Sequence, residues 1–170
     1  MHCLRTLLLS IGICLTALAT SVDDTLINYW RLDEGRGDVI ADSSQIRNPP
    51  GKVFNGEWVE GVSGSAIYFP GQASYAETPV PGSIYDVEGI TIDFHFKPAA
   101  IDGVRYILTS NGAPQFFVRL ADNLLQIGVS HDHWREMQYD GIIKAGQWYH
   151  LGVAIGDGEA VLLQLHHLGA

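Results

Sequence analysis

Two runs of strict alternation constrain this chain more than any other feature in it. In Ile90–Phe96 the apolar Ile90, Ile92, Phe94 and Phe96 share one face, and Thr91, Asp93 and His95 share the other. In Tyr149–Ile155, Tyr149, Leu151, Val153 and Ile155 oppose His150, Gly152 and Ala154. A period of two belongs to strands with one buried and one wet face, because successive side chains point to opposite sides. Val104–Thr109, Gln115–Leu120 and Leu124–Val129 read as further strands. Asn111-Gly112, Asp122-Asn123 and Asp157-Gly158 supply hairpin turns, since Gly, Asn and Asp tolerate positive φ. Past the N-terminal segment no helical period is found. The expected fold is an all-β, antiparallel two-sheet sandwich.

The first stretch reads as an address and is set aside from the fold. Arg5 precedes an apolar run from Leu7 to Ala19, and Ala17-Leu18-Ala19 fits a small-x-small cleavage site. The run is short for a membrane span and Asp23-Asp24 follows at once. Residues 1–21 are therefore expected to be a secretory signal peptide, with 22–170 as one domain, secreted or at the cell surface, and no membrane span after cleavage. Both cysteines, Cys3 and Cys14, lie in that leader, so no disulfide framework is expected in the remainder. The whole chain carries a formal net charge of −9. Such acidity argues against nucleic acid or an anionic membrane as partner, and suits cations or neutral polymers.

The region from Asp38 to Ser65 is polar, rich in Gly and Pro and poor in alternation. Asn48-Pro49-Pro50-Gly51 forbids a central strand there, because proline cannot donate to a ladder. A long excursion over one end of the sandwich is expected, and excursions of that length are usually functional or held by something specific.

Short signatures run through the chain in a fixed order: Tyr29-Trp30-Arg31-Leu32-Asp33-Glu34-Gly35, Asp42-Ser43-Ser44, Trp58-Val59-Glu60-Gly61, Ile67-Tyr68-Phe69-Pro70-Gly71, Thr91-Ile92-Asp93-Phe94-His95-Phe96 and Gly146-Gln147-Trp148-Tyr149-His150-Leu151. In order and spacing they resemble the laminin-G-like, or concanavalin A-like, jelly-roll family over roughly Thr25 to Val161. Gln45 stands where the family often has Gly, and His95 where it often has Trp. The resemblance implies a jelly-roll sandwich that usually serves as a binding module. In the family, further strands follow the position of Gly158, and the last commonly lies beside the N-terminal strand. Here the sequence reads Val161-Leu162-Leu163-Gln164-Leu165-His166-His167-Leu168-Gly169-Ala170. The domain is accordingly expected to be partial at its C-terminus, leaving the strand Leu26–Leu32 without its partner. The alternative is that Val161–Leu168 folds back as a substitute edge strand.

Asp33, Glu34, Asp42 and Asn48 offer hard oxygen ligands of the kind calcium takes. The resemblance implies a structural calcium near this loop, and the oxygen donors place it at the end held by Asp33, Asp42 and Asn48. The competing reading is that Asp33-Glu34 solvate a strand end and Asp42-Ser43-Ser44 form an Asx turn. His131-Asp132-His133 puts two imidazoles on one face of an extended segment, as zinc would need, although a solvated polar loop explains it as well.

Flat aromatic rings stack on the C–H faces of pyranoses and leave the hydroxyls to polar neighbours. Trp58, Trp134, Tyr75, Tyr85 and Tyr139 lie outside the clear inward faces, whereas Trp30 and Trp148 are expected in the core. Trp134-Arg135-Glu136-Met137-Gln138-Tyr139-Asp140 combines two aromatics with donors and acceptors, so Trp134, Arg135, Tyr139 and Trp58 are the expected ligand-binding residues. Retaining glycosidases on such folds need two carboxyls about 5 Å apart on one strand face. Asp93 stands alone, Glu136 and Asp140 are four apart and Glu57 and Glu60 three apart. No Gly-x-Ser-x-Gly elbow occurs. The expectation is a non-catalytic secreted module that binds carbohydrate or glycoconjugate. The alternatives are a protein–protein adhesion module whose partner is an extracellular protein, or a non-functional piece of a sandwich-fold glycosidase.

Overall fold

The computed structural model describes residues 26–71, 73–79, 89–110, 115–130, 134–156 and 159–169. The leader, the turns at Asn111-Gly112 and Asp157-Gly158, Tyr85 and the His131-Asp132-His133 segment lie outside the described residues. Within them the chain is all-β. Five short strands come first: β1 (Val39–Ile40), β2 (Gly51–Phe54), β3 (Glu57–Glu60), β4 (Ser65–Tyr68) and β5 (Tyr75–Glu77). Seven longer ones follow: β6 (Gly89–Phe96), β7 (Val104–Thr109), β8 (Gln115–Ala121), β9 (Leu124–Ser130), β10 (Trp134–Asp140), β11 (Trp148–Gly156) and β12 (Glu159–Leu168).

Two sheets carry the core. β7, β8, β9 and β10 form an antiparallel meander, and β11 lies between β6 and β12 in the second sheet. The inward residues of both sheets make one cluster: Val118, Leu120, Leu125, Ile127 and Val129 from the meander meet Phe96, Leu151, Val153 and Ile155 from the other. Face-to-face packing of this kind makes a sandwich. Leu120, Leu125, Ile127 and Leu151 are among the largest fully buried side chains, each worth about 1.5–3 kcal/mol relative to exposure. The β8–β9 turn is as its residues require. Asp122 (φ 48°) and Asn123 (φ 72°) both lie at positive φ, as a two-residue type I′ hairpin demands. The sheets establish antiparallel all-β architecture and a sandwich; jelly-roll connectivity does not follow from them.

The excursion is more ordered than its composition implies. β2 begins at Gly51, directly after the two prolines, and is the middle strand of a small sheet β1-β2-β5, while β3 and β4 form a separate hairpin. Among the described residues, Leu26–Leu32, expected as a strand, makes only an isolated bridge between Trp30 and Asp42. Its role as a ladder strand is replaced by polar pinning, described below. Val161–Leu168 takes the alternative course: it belongs to β12, which pairs with β11 from Gly156–Glu159 to Trp148–Leu168. A bulge opposite Gly152 and Val153 leaves Leu163 without a register partner and shifts the alternation of this segment midway. Trp30 and Trp148 are half-buried and stand outside the central cluster. Trp148 instead lies 6.0 Å under the Lys97 ammonium. Among the described residues no helix is long and apolar enough to cross a membrane.

Candidate functional site

The outer face of the β7–β10 sheet carries a cleft of about 480 Å³. Alternation puts Gln115, Phe117 and Arg119 of β8 outward, opposite the inward Phe116, Val118 and Leu120. Cross-strand register then sets Thr109 beside Phe117, Tyr106 beside Arg119, and Gly128 and Gln126 of β9 on the other flank. Phe117 is only 8% exposed although it faces away from the core. Its ring lies across the backbone of Gly128, where a Cβ would come within 2.3 Å of both Cε1 and Cζ. Glycine is needed at 128 because any side chain would lift that ring. Tyr106 meets Phe117 edge-on at 6.0 Å and Trp134 meets it tilted at 5.5 Å. Tyr106 and Trp134 themselves remain 56% and 53% exposed. Thr109, Ser110 and Gln115 complete the lining.

Arg119 is the polar centre of this cleft. Its guanidinium sits 4.4 Å from the Phe117 ring and 5.6 Å from that of Tyr106. Nε donates to Gln126 Oε1 (2.6 Å), one terminal nitrogen to the Tyr106 hydroxyl (3.0 Å) and the other to Glu136 Oε2 (3.4 Å). Glu136 Oε1 also accepts from Gln138 Nε2 at 2.9 Å. The planar fork thus has its position fixed by three side chains and two rings, a use of arginine that lysine cannot reproduce. Two exposed rings flank a fixed set of donors and acceptors. That arrangement is chemically suited to holding a polyhydroxylated ligand with flat apolar patches.

Of the ligand-binding residues expected from sequence, Trp134 is in this cleft and the others are not. β10 alternates, so Trp134, Glu136 and Gln138 face outward while Arg135, Met137 and Tyr139 take the opposite parity, in register with Val129, Ile127 and Leu125. Tyr139 packs against the core, and its hydroxyl lies 3.7 Å from Met137 Sδ. Trp58 sits on β3, half-buried, and donates its indole N–H to the Gly37 carbonyl at 2.8 Å. It clamps the excursion rather than joining Trp134. Tyr106, Phe117 and Arg119 were missed, although Gly128 inside a strand signals close approach of another group.

The residues expected to hold calcium are divided between two places. Asp42 Oδ1 accepts from the backbone N–H groups of Tyr29 (2.8 Å) and Ser44 (2.9 Å). Oδ2 accepts from the Ser44 hydroxyl, the Asn48 N–H and Asn48 Nδ2, each at 2.8 Å. The bond to Ser44 N–H is the Asx turn. Asn48 Nδ2 and Ser44 Oγ also reach the Ile27 carbonyl, at 2.8 and 3.3 Å. Five donors fill the lone pairs of one carboxylate and present positive hydrogen ends to it, the reverse of what a cation needs. Asp33 pairs with Arg31 at 2.7 Å and lies against Gly64. No grouping of three metal-binding side chains is found among the described residues. Burial raises the Asp42 pKa, but hydrogen bonds from the Ser44 and Tyr29 backbones, the Ser44 hydroxyl and the Asn48 backbone outweigh it. The net effect holds the carboxyl well below the usual range.

The outer face of the other large sheet is different again. His95, His150 and His166 stand in one register row across β6, β11 and β12, with Asp93, Gly152 and Gln164 in the next. The His95 and His150 rings stack at 4.5 Å, and His150 Nε2 lies 2.7 Å from Asp93 Oδ1. Gln164 Nε2 donates to Asp93 Oδ2 at 3.1 Å. Burial and the neighbouring His150 lower the His95 pKa, with Asp93 opposing them.

Comparison with family models, with curated proteins and with solved structures finds no match to this chain.

Proposed function

We propose that this chain is a secreted, non-catalytic recognition module whose ligand is a glycan or glycoconjugate bound in the Tyr106–Phe117–Trp134 cleft. One observation carries the reading: two half-exposed aromatic rings flank an arginine whose guanidinium is fixed by Gln126, Tyr106 and Glu136. Rings supply stacking surface for sugar C–H faces, and fixed polar groups supply orientation, the usual division of labour in small-molecule sites. The acids of β10 are placed unfavourably for turnover. Glu136 is paired with Arg119, and Asp140 lies four residues further along the same strand, about 13 Å away. Glycosidase pairs sit closer, at roughly 5–9.5 Å. Export rests on the leader read at residues 1–21. Glycan-array binding of residues 22–170, with Trp134→Ala as control, tests the proposal. Binding to a defined set of sugars that Trp134→Ala lowers at least about tenfold supports it. Silence across the array favours the adhesion alternative.

A further inference from the structure

Resting on that glycan reading, we infer that the cleft takes a neutral sugar and discriminates against uronate- or sulfate-bearing ones. An arginine in a binding cleft ordinarily invites an anion, because its fork matches carboxylate and sulfate. Here the fork is already engaged. Glu136 takes one edge at 3.4 Å, Gln126 takes Nε, and the Phe117 ring covers a face at 4.4 Å. Among the described residues that line the cleft, Glu136 and Arg119 are the only ionisable side chains besides the Tyr106 phenol, and their charges cancel each other. The side chains of Arg119 and Glu136 are 23% and 31% exposed, which leaves them partly shielded from solvent screening. An anionic sugar would have to displace Glu136 from Arg119 or lie beside it, and like charges set together in a partly desolvated site oppose binding. The chain as a whole adds to the penalty, with 19 acidic against 10 basic residues. What remains for the ligand is the exposed ring surface of Tyr106 and Trp134, together with the neutral polar group of Gln115. These recognise hydroxyls and C–H faces, not charge.

The test is a glycan array carrying neutral gluco-, galacto- and mannooligosaccharides beside glucuronate-containing and sulfated counterparts, read at low ionic strength for the parent chain and for Glu136→Gln. The side-chain amide keeps the shape of Glu136 and an oxygen toward Arg119 but removes the negative charge, and a matching melting curve shows that the variant is folded. The parent should bind neutral oligosaccharides at least about tenfold better than acidic ones, and Glu136→Gln should narrow that ratio by about tenfold. Preference of the parent for acidic sugars, or a ratio unmoved by Glu136→Gln, overturns the inference while leaving glycan binding intact. Failure to bind any sugar overturns the glycan reading itself and this inference with it.

Discussion

Asp42 and Arg119 are each a single charged side chain around which a piece of this molecule is organised, yet their surroundings differ in kind. Asp42 gathers five donors, three of them backbone N–H groups, from residues 29, 44 and 48. Every lone pair is used inside the chain, so the carboxylate holds a loop and offers nothing outward. Arg119 is also held by several partners, but these are side chains on a regular sheet, flanked by rings more than half exposed. The contrast teaches where to look for function in such a fold. A charge saturated by its own backbone marks a structural joint, whereas one positioned by side chains beside open aromatic surface marks a place prepared for a ligand.

The largest effect expected is at the joint. Asp42→Ala should cost roughly 3 kcal/mol, because it strands several backbone donors at once. Hydrogen exchange at Tyr29, Ser44 and Asn48 should accelerate before the sandwich amides do. A loss below about 1 kcal/mol, or protection unchanged at those three amides, would break the contrast. The same residue fixes a pH response. Its carboxyl is held below the ordinary 3.8, so its contribution is fully present above pH 4 and is lost as pH falls through the lower folded-state value. Asp42→Asn should remove that acid limb from a pH-stability curve.

Next in size is Gly128→Ala, expected to cost roughly 2 kcal/mol, since the added methyl meets the Phe117 ring at 2.3 Å. Because that ring seats Trp134 and Tyr106, sugar binding should fall together with melting temperature. Unchanged melting and binding would show that Phe117 is not the anchor of the cleft. The smallest effect belongs to the opposite sheet face. His95 has a folded pKa below its ordinary 6.5, so its contribution is present above pH 6.5 and lost as pH drops toward the folded value. Denaturant titrations between pH 7 and 5 should show a slight decline that His95→Gln flattens, without any change in sugar binding. A binding defect in that variant would blur the distinction between the two outer faces.

The strands with clean alternation were legible, and so was the Asp122-Asn123 turn, because a period of two and two positive-φ residues leave few alternatives. β12 was not, since the bulge at Leu163 shifts parity midway. The site was half legible. Trp134 stood out as an exposed aromatic, but reading Trp134–Asp140 as one patch ignored the alternation that turns Arg135 and Tyr139 the other way. Phe117 hid in the apolar run Phe116-Phe117-Val118, where composition alone does not tell which ring faces out. The register irregularity between Tyr106 and Leu108 similarly concealed that Tyr106 joins the outer face. The Asx turn at Asp42 was one of two readings open in sequence. The turn is formed, and the convergence of Tyr29 and Asn48 on the same carboxylate is what sequence alone does not reveal.

The central claim is that the outer face of β7–β10, and not the histidine face or the Asp42 loop, meets the ligand. The most direct measurement is an amide and indole NMR titration of the folded chain with a neutral oligosaccharide that scores on the array. Shifts should concentrate on Tyr106, Gln115, Phe117, Arg119 and the Trp134 indole N–H, leaving His95, His150 and Asn48 unmoved. Perturbations gathered on the β6–β11–β12 face or around Asp42, with the Trp134 indole silent, would contradict the account.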